Sequence, residues 1–225
     1  GLGGGAPDKS AAEVEAFEDG TVQVRTSAAD MGQGLGMVVA QCAAEELGLP
    51  YEKVSVLLSD TDLTPDAGPT TASRQTYVTG NAARLAAGAL REALRSVAAE
   101  VHNVDPQEIR FEEGLVRYNG TSTPLGEVVG WMKEQGLQPR ALHEYWAPET
   151  QPLGTGGDMH FAFSYATQAA LVEVDLETGE VHVLKVIAGT DAGRAINPRS
   201  VQGQVQGAIV MAMGNALTEE YIIEE

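Results

Sequence analysis

The stretch Asp30-Met-Gly-Gln-Gly34, continuing as Leu35-Gly-Met-Val-Val-Ala-Gln-Cys-Ala-Ala-Glu-Glu-Leu47 and closing on Gly48-Leu-Pro50, carries the first decision about this chain. Leu35, Val38, Val39, Cys42, Ala43 and Leu47 recur at helical spacing, which predicts an amphipathic helix. Gly48 followed by Pro50 is its stop, because Gly enters the left-handed terminal conformation cheaply and Pro cannot continue a helix. At the other end Gly32 and Gly34 bracket Gln33, so the backbone there can turn sharply or lie against a ligand. Gln33 thus stands at a helix N-terminus, whose free N–H groups favour an anion, with an amide that both donates and accepts. Two readings are open: a tight turn, or the lip of an anion or cofactor site.

Before this stretch, Val14 and Ala16, then Val22, Val24 and Thr26, alternate with polar neighbours around Glu18-Asp-Gly20, which reads as a β-hairpin. After it, Val54, Val56 and Leu58 form another predicted strand, ending at Ser59-Asp-Thr-Asp62. These aspartates lack the spacing of a calcium loop and read as turn chemistry. Ala67-Gly-Pro69 bends the chain into Thr70-Thr-Ala-Ser-Arg-Gln-Thr-Tyr-Val-Thr-Gly-Asn81, a loop rich in hydroxyls in which Ser73 is a candidate helix cap. Arg74 in that loop has the fork geometry to hold a phosphate, or else it forms a surface ion pair. A long helix is predicted from about Thr79 to Glu100, with Ala82, Ala86, Leu90, Ala93, Leu94 and Val97 on one face.

Further on, Ile109–Phe111 and Leu115–Tyr118 suggest a small hairpin, Leu125 to Met132 a short helix, and Ala141–Trp146 a strand. The Pro- and Gly-rich residues 148–157 mark a crossing, giving a first half at 1–147 and a second at 148–225. In the second half Tyr165–Val174 and Val181–Ala188 flank a turn. Asn197-Pro198 caps a helix carrying Gln204, and Thr218–Ile222 begins a strand.

The 14 basic and 32 acidic residues give a formal charge of −18, which repels nucleic acid and anionic membranes. Nothing approaches the roughly 18 consecutive apolar residues of a membrane span. With no leader pattern and no initiator Met, the chain is expected to be cytoplasmic and a piece of a longer polypeptide. The lone Cys42 excludes an internal disulfide and a thiolate-held iron–sulfur cluster, and its place on an apolar stripe reads as core. His102, His143, His160 and His182 form no short metal-ligand pair. A dinucleotide fingerprint, a nucleotide P-loop and a nucleophile elbow are also missing.

Asp30-Met-Gly-Gln-Gly34, the Thr70 to Asn81 stretch and Asn197-Pro-Arg-Ser-Val-Gln-Gly-Gln-Val-Gln-Gly207, taken together and in this order, resemble the molybdopterin-binding part of the xanthine dehydrogenase and aldehyde oxidase family of molybdenum hydroxylases. The resemblance covers nearly everything after about Gly20. It implies an α+β fold of two α/β halves with mixed sheets and packed helices. It also explains the missing metal ligands, because in that family dithiolene sulfurs of the pterin hold the molybdenum. By the same resemblance Gly32, Gln33, Gly34, Thr70, Thr71, Ala72, Ser73, Arg74, Thr76 and Gln204 are the expected contacts to the molybdenum–molybdopterin cofactor, in its simple or cytosine dinucleotide form. Gln33 would lie nearest the metal and hydrogen-bond an oxo group. The implied reaction is hydroxylation of an electron-poor carbon in a purine, aldehyde or N-heterocycle, with oxygen from water. Electrons would leave through iron–sulfur and FAD partners. The family's general base, a glutamate in a Gly-rich C-terminal motif, has no counterpart here, since Glu219, Glu220, Glu224 and Glu225 do not stand in such a motif. The isolated chain is therefore expected to be inactive. A non-catalytic cofactor-binding or assembly module is the other reading.

Overall fold

A computed structural model describes residues 1–223; Glu224 and Glu225 lie outside the described residues. The chain divides into two compact units, Gly1–Phe161 and Ala162–Glu225. This boundary falls beyond the 148–157 connection expected from composition. The reason is hydrogen bonding back to the first unit: the Ala147 N–H donates to Asp8 O, the Gly5 N–H to Thr150 Oγ1 and the Gly4 N–H to Met159 O, at 2.8, 3.0 and 2.9 Å.

The first unit is built on a four-stranded mixed sheet in the order β3-β2-β1-β7, where β1 is Lys9–Ala16, β2 Val22–Thr26, β3 Val54–Leu58 and β7 Arg140–Trp146. β1 pairs antiparallel with both β2 and β7, whereas β2 and β3 run parallel. A parallel pair needs a crossover, and α1 (Leu35–Leu47) supplies it. The alternation in the strands sorts the two faces: Ala12, Val14, Ala16, Val22 and Val24 are fully buried. On the other face Arg25 bridges Glu13 and Glu15 at 2.8 and 2.6 Å.

α1 ends in a Schellman motif, with Gly48 left-handed (φ 63°), the Leu49 N–H bonded to Ala44 O and the Gly48 N–H to Glu45 O. Buried against β1, β7 and α1 lies α2, Gln75–His102. Its Ala82, Ala83, Ala86 and Ala87 allow close approach, and Leu90 and Leu94 fill the space beyond. The helix begins four residues before the predicted start, because the turn preceding it is closed by tertiary hydrogen bonds that local propensity does not reveal. Ser73 makes no capping bond, which corrects that expectation.

A small sheet, β4 (Arg110–Glu112), β5 (Leu115–Tyr118) and β6 (Thr121–Pro124), sits beside α3 (Leu125–Glu134). Polar Thr121–Pro124 carries no apolar alternation, which is why its strand was not predicted. The second unit pairs β8 (Tyr165–Val174) with β9 (Val181–Asp191) and continues into α4 (Pro198–Thr218). Asn197 caps α4 by accepting the Ser200 N–H at 3.1 Å. The expected strand at Thr218–Ile222 is not formed: Thr218 closes α4 and Glu219 to Ile223 are irregular. The molecule is thus α+β, with a mixed sheet and packed helices in the first unit and a hairpin with a helix in the second. Among the described residues no helix is long and apolar enough to cross a membrane.

Candidate cofactor site

Two of the three predicted segments meet within the first unit. The Ala29 N–H donates to Thr70 Oγ1 at 2.9 Å, while the Ala29 carbonyl accepts from Gln33 Nε2 at 2.8 Å. One residue therefore ties the Gln33 turn to the 70–74 loop. The third segment, with Gln204 exposed on α4, belongs to the second unit and is described by itself.

The Gln33 turn uses glycine for its conformation, not for room. Gly32 and Gly34 have φ of 100° and 82°, and a Cβ on Gly32 would meet nothing within 4 Å. Several of the N–H groups expected to await an anion are already engaged. Asp30 accepts from Gly32 and Gly34 at 3.0 and 3.2 Å through Oδ1, and from Gly36 at 3.0 Å through Oδ2. For these three groups this corrects the expectation of free donors beside Gln33, since the chain supplies its own carboxylate. Burial alone would push the Asp30 carboxyl up, but the backbone donors outweigh it and hold it below the usual carboxylate value. The Gln33 amide is half used: Oε1 accepts the Met31 N–H at 2.6 Å and Nε2 gives one hydrogen to Ala29. The second Nε2 hydrogen remains to be donated.

In the 70–74 loop, Ala72 and Ser73 are both left-handed with φ of 50°, a conformation that costs residues with a Cβ about 1–3 kcal/mol each. Thr71, Ala72 and Ser73 are exposed, and among the described residues nothing accepts from their backbone N–H groups. Thr76 is exposed at the second position of α2. Arg74 overturns the phosphate reading of its side chain, and the surface-pair reading as well. It is 1% exposed; Nε meets Asp8 Oδ1 at 2.5 Å, and Nη1 donates to Ala67 O at 3.0 Å and Pro69 O at 2.8 Å. Nη2 donates to Lys9 O. With its guanidinium committed to the Ala67 and Pro69 carbonyls on one side and to Asp8 and Lys9 on the other, Arg74 is a latch that shapes the turn. Gln75, unmarked in the sequence reading, is also buried. Its Nε2 reaches Pro69 O at 3.2 Å and Thr70 Oγ1 at 3.0 Å. A glutamine in the first turn of a long helix carries no sequence sign that distinguishes it from a solvated one.

No group of three or more His, Cys, Asp or Glu side chains is placed to hold a metal ion among the described residues. The donor set consists instead of backbone N–H groups, a hydroxyl and an amide, presented by a turn held by Arg74 and Gln75. Such a set suits an oxygen-rich, acceptor-bearing group such as a pterin phosphate. Residues 1–225 match the family model described as a molybdopterin cofactor-binding domain.

The chain belongs to the molybdenum hydroxylase family, as a molybdopterin cofactor-binding domain.

The relatives carry the same sense. The chain is 34% identical over 212 residues to the 6-hydroxypseudooxynicotine dehydrogenase complex subunit gamma of Paenarthrobacter nicotinovorans, covering 94% of itself and 26% of that protein. It is 32% identical over 218 residues to the aldehyde oxidoreductase molybdenum-binding subunit of Escherichia coli, covering 97% of itself and 28% of that subunit. Among solved structures, quinoline 2-oxidoreductase from Pseudomonas putida superimposes with a TM-score of 0.80 at 30% identity, over 96% of this chain and 28% of that one. The chain thus spans little more than a quarter of the length of these relatives, all of which are oxidoreductases by name.

Proposed function

We propose that these residues contribute one wall of the molybdenum cofactor site in an oxidoreductase that hydroxylates an electron-poor carbon with oxygen from water. Electrons then pass to iron–sulfur and flavin partners. The observation that supports this reading is the junction at Ala29, which ties the loop carrying the unpaired N–H groups of Thr71, Ala72 and Ser73 to the turn carrying Gln33. The N–H groups of residues 71–73 and the Thr70 hydroxyl bind the pterin and its phosphate or nucleotide extension. Gln33 uses its remaining amide hydrogen to orient a polar group near the reacting centre. When bound, the cofactor supplies the redox and hydroxylating chemistry. Gly32 and Gly34 hold the Gln33 side chain on a short, self-capped turn with little freedom to swing. Purine, aldehyde and N-heterocycle substrates all fit this chemistry.

The test is Gln33→Ala in the complete enzyme. One lost donor removes about 1–3 kcal/mol while leaving the loop's grip on the cofactor intact. Turnover per bound molybdenum should therefore fall about 5- to 100-fold, with molybdenum content within about a factor of two of wild type. Molybdenum and activity lost in equal proportion would instead make Gln33 a retention residue. A complete, folded enzyme that never contains molybdenum would leave the domain a non-catalytic module.

A further inference from the structure

Behind the loop runs a buried line of polar side chains that the cofactor contacts do not include. Ser10 Oγ lies 2.8 Å from Thr79 Oγ1, and both residues are fully buried. Thr79 Oγ1 donates to Gln75 Oε1. The Gln75 amide cannot be turned over, because the Pro69 carbonyl at 3.2 Å only accepts and must face Nε2. That fixes every proton in the line. Thr79 gives its hydrogen to Gln75, so Ser10 must give its own to Thr79. Gln75 Nε2 donates to Thr70 Oγ1 at 3.0 Å, and the Ala29 N–H donates to the same oxygen at 2.9 Å. Both lone pairs of the Thr70 hydroxyl are thereby filled. Its one remaining capacity is the O–H, for which the described residues provide no acceptor.

We propose that Gln75 is a positioning residue: through Thr70 and Ala29 it locks the 70–74 loop to the Gln33 turn, and it makes Thr70 a donor only. The Ser10, Thr79, Gln75 and Thr70 line points its hydrogens one way, from the interior of β1 outward to the loop. A ligand oxygen with free lone pairs, such as a phosphate oxygen, completes the line; an ammonium or other donor does not. Because Ala29 is bonded to Thr70 on one side and to Gln33 on the other, the Gln33 amide takes its orientation from the buried face of α2. The role of Thr70 toward a cofactor rests on the function proposed above, whereas the bridge itself does not.

Residue-resolved hydrogen exchange at the Ala29 amide, with molybdenum analysis and turnover of the full-length protein, separates the two. Gln75→Met and Thr70→Val should each raise Ala29 exchange roughly 2- to 10-fold, as befits one lost hydrogen bond, without matching increases at core amides of β1 or α2. Thr70→Ser, which keeps the oxygen, should restore wild-type exchange. Turnover per bound molybdenum should fall by a similar factor in the first two variants and recover in the third. Unchanged Ala29 exchange in both variants overturns the bridge, as does a uniform rise throughout the first unit or a failure of Thr70→Ser to restore protection. Raised Ala29 exchange with turnover per molybdenum intact upholds the bridge and overturns its role in orienting Gln33. Should the wild-type protein carry no molybdenum, the proposed function fails while the exchange comparison still decides the bridge.

Discussion

Arg74 and Asp30 are charged residues whose work is internal. The Arg74 and Asp8 side chains are 0% and 3% exposed, and removing one partner of such a pair strands the other charge without water. Arg74→Met or Asp8→Ala should destabilise the first unit by about 3–5 kcal/mol in urea denaturation. Lys133→Ala, which breaks the exposed pair with Glu18, should cost about 0–1 kcal/mol. Equal effects would mean that the latch is dispensable. Asp30 leads to a pH dependence. Its folded carboxyl sits below the usual value, so its stabilising contribution is complete above about pH 4 and is lost as pH falls through the lower folded value. The stability gap between wild type and Asp30→Ala should be largest near neutrality and close as pH falls below about 4 through the lower folded value; a gap that widens in acid would contradict the geometry. Neither role was legible from sequence. The partner of Arg74 lies 66 positions away, and an Asp before a Gly-rich turn reads equally well as a turn former. Of the two readings open for the glycines around Gln33, the sharp turn is the one their positive φ bears out, because positive φ is a local demand.

Helices and turns were more readable, since their signals are periodic or punctuated. α1 appeared with its stop in place because Gly48-Leu-Pro50 announces a Schellman end and Leu35 to Leu47 repeats at helical spacing. The start of α2 was misplaced because tertiary bonds to Pro69, Ala67 and Lys9 close its leading turn, and β6 was missed because its residues are polar. Packing between elements gives sharper predictions than periodicity does. A Cβ on Gly48 would come within 2.3 Å of Phe111 O in addition to the positive φ, and one on Gly126 within 2.1 Å of Glu18 O. In both cases the obstacle is backbone. Gly48→Ala and Gly126→Ala should each lower stability by about 2 kcal/mol or more in urea midpoints at unchanged slope. Gly130→Ala, where a Cβ meets nothing within 4 Å, should be neutral or slightly stabilising in the interior of α3. Losses of equal size at Gly126 and Gly130 would show that α3 does not press on the β1–β2 turn.

For the molecule as a whole, the two units differ in how much they bury. In the first, β1, β2, α1 and α2 enclose a continuous apolar core, whereas α4 has no buried residue and β8 is exposed along its length. In the 225-residue chain, amides of α4 and β8 should exchange at least about tenfold faster than those of Ala82 to Leu94 in α2; comparable protection would show that the second unit is stabilised by more than its own contacts. The Arg74 latch also bears on how the protein is made. Helices form in about a microsecond, but bringing Asp8 to Arg74 requires closing a loop of 66 residues and docking β1 on α2. Until that happens, the Thr70 to Ser73 turn has donors without a shape. On the function proposed above, cofactor insertion is expected to be a late step of biogenesis, following the docking of the first strand.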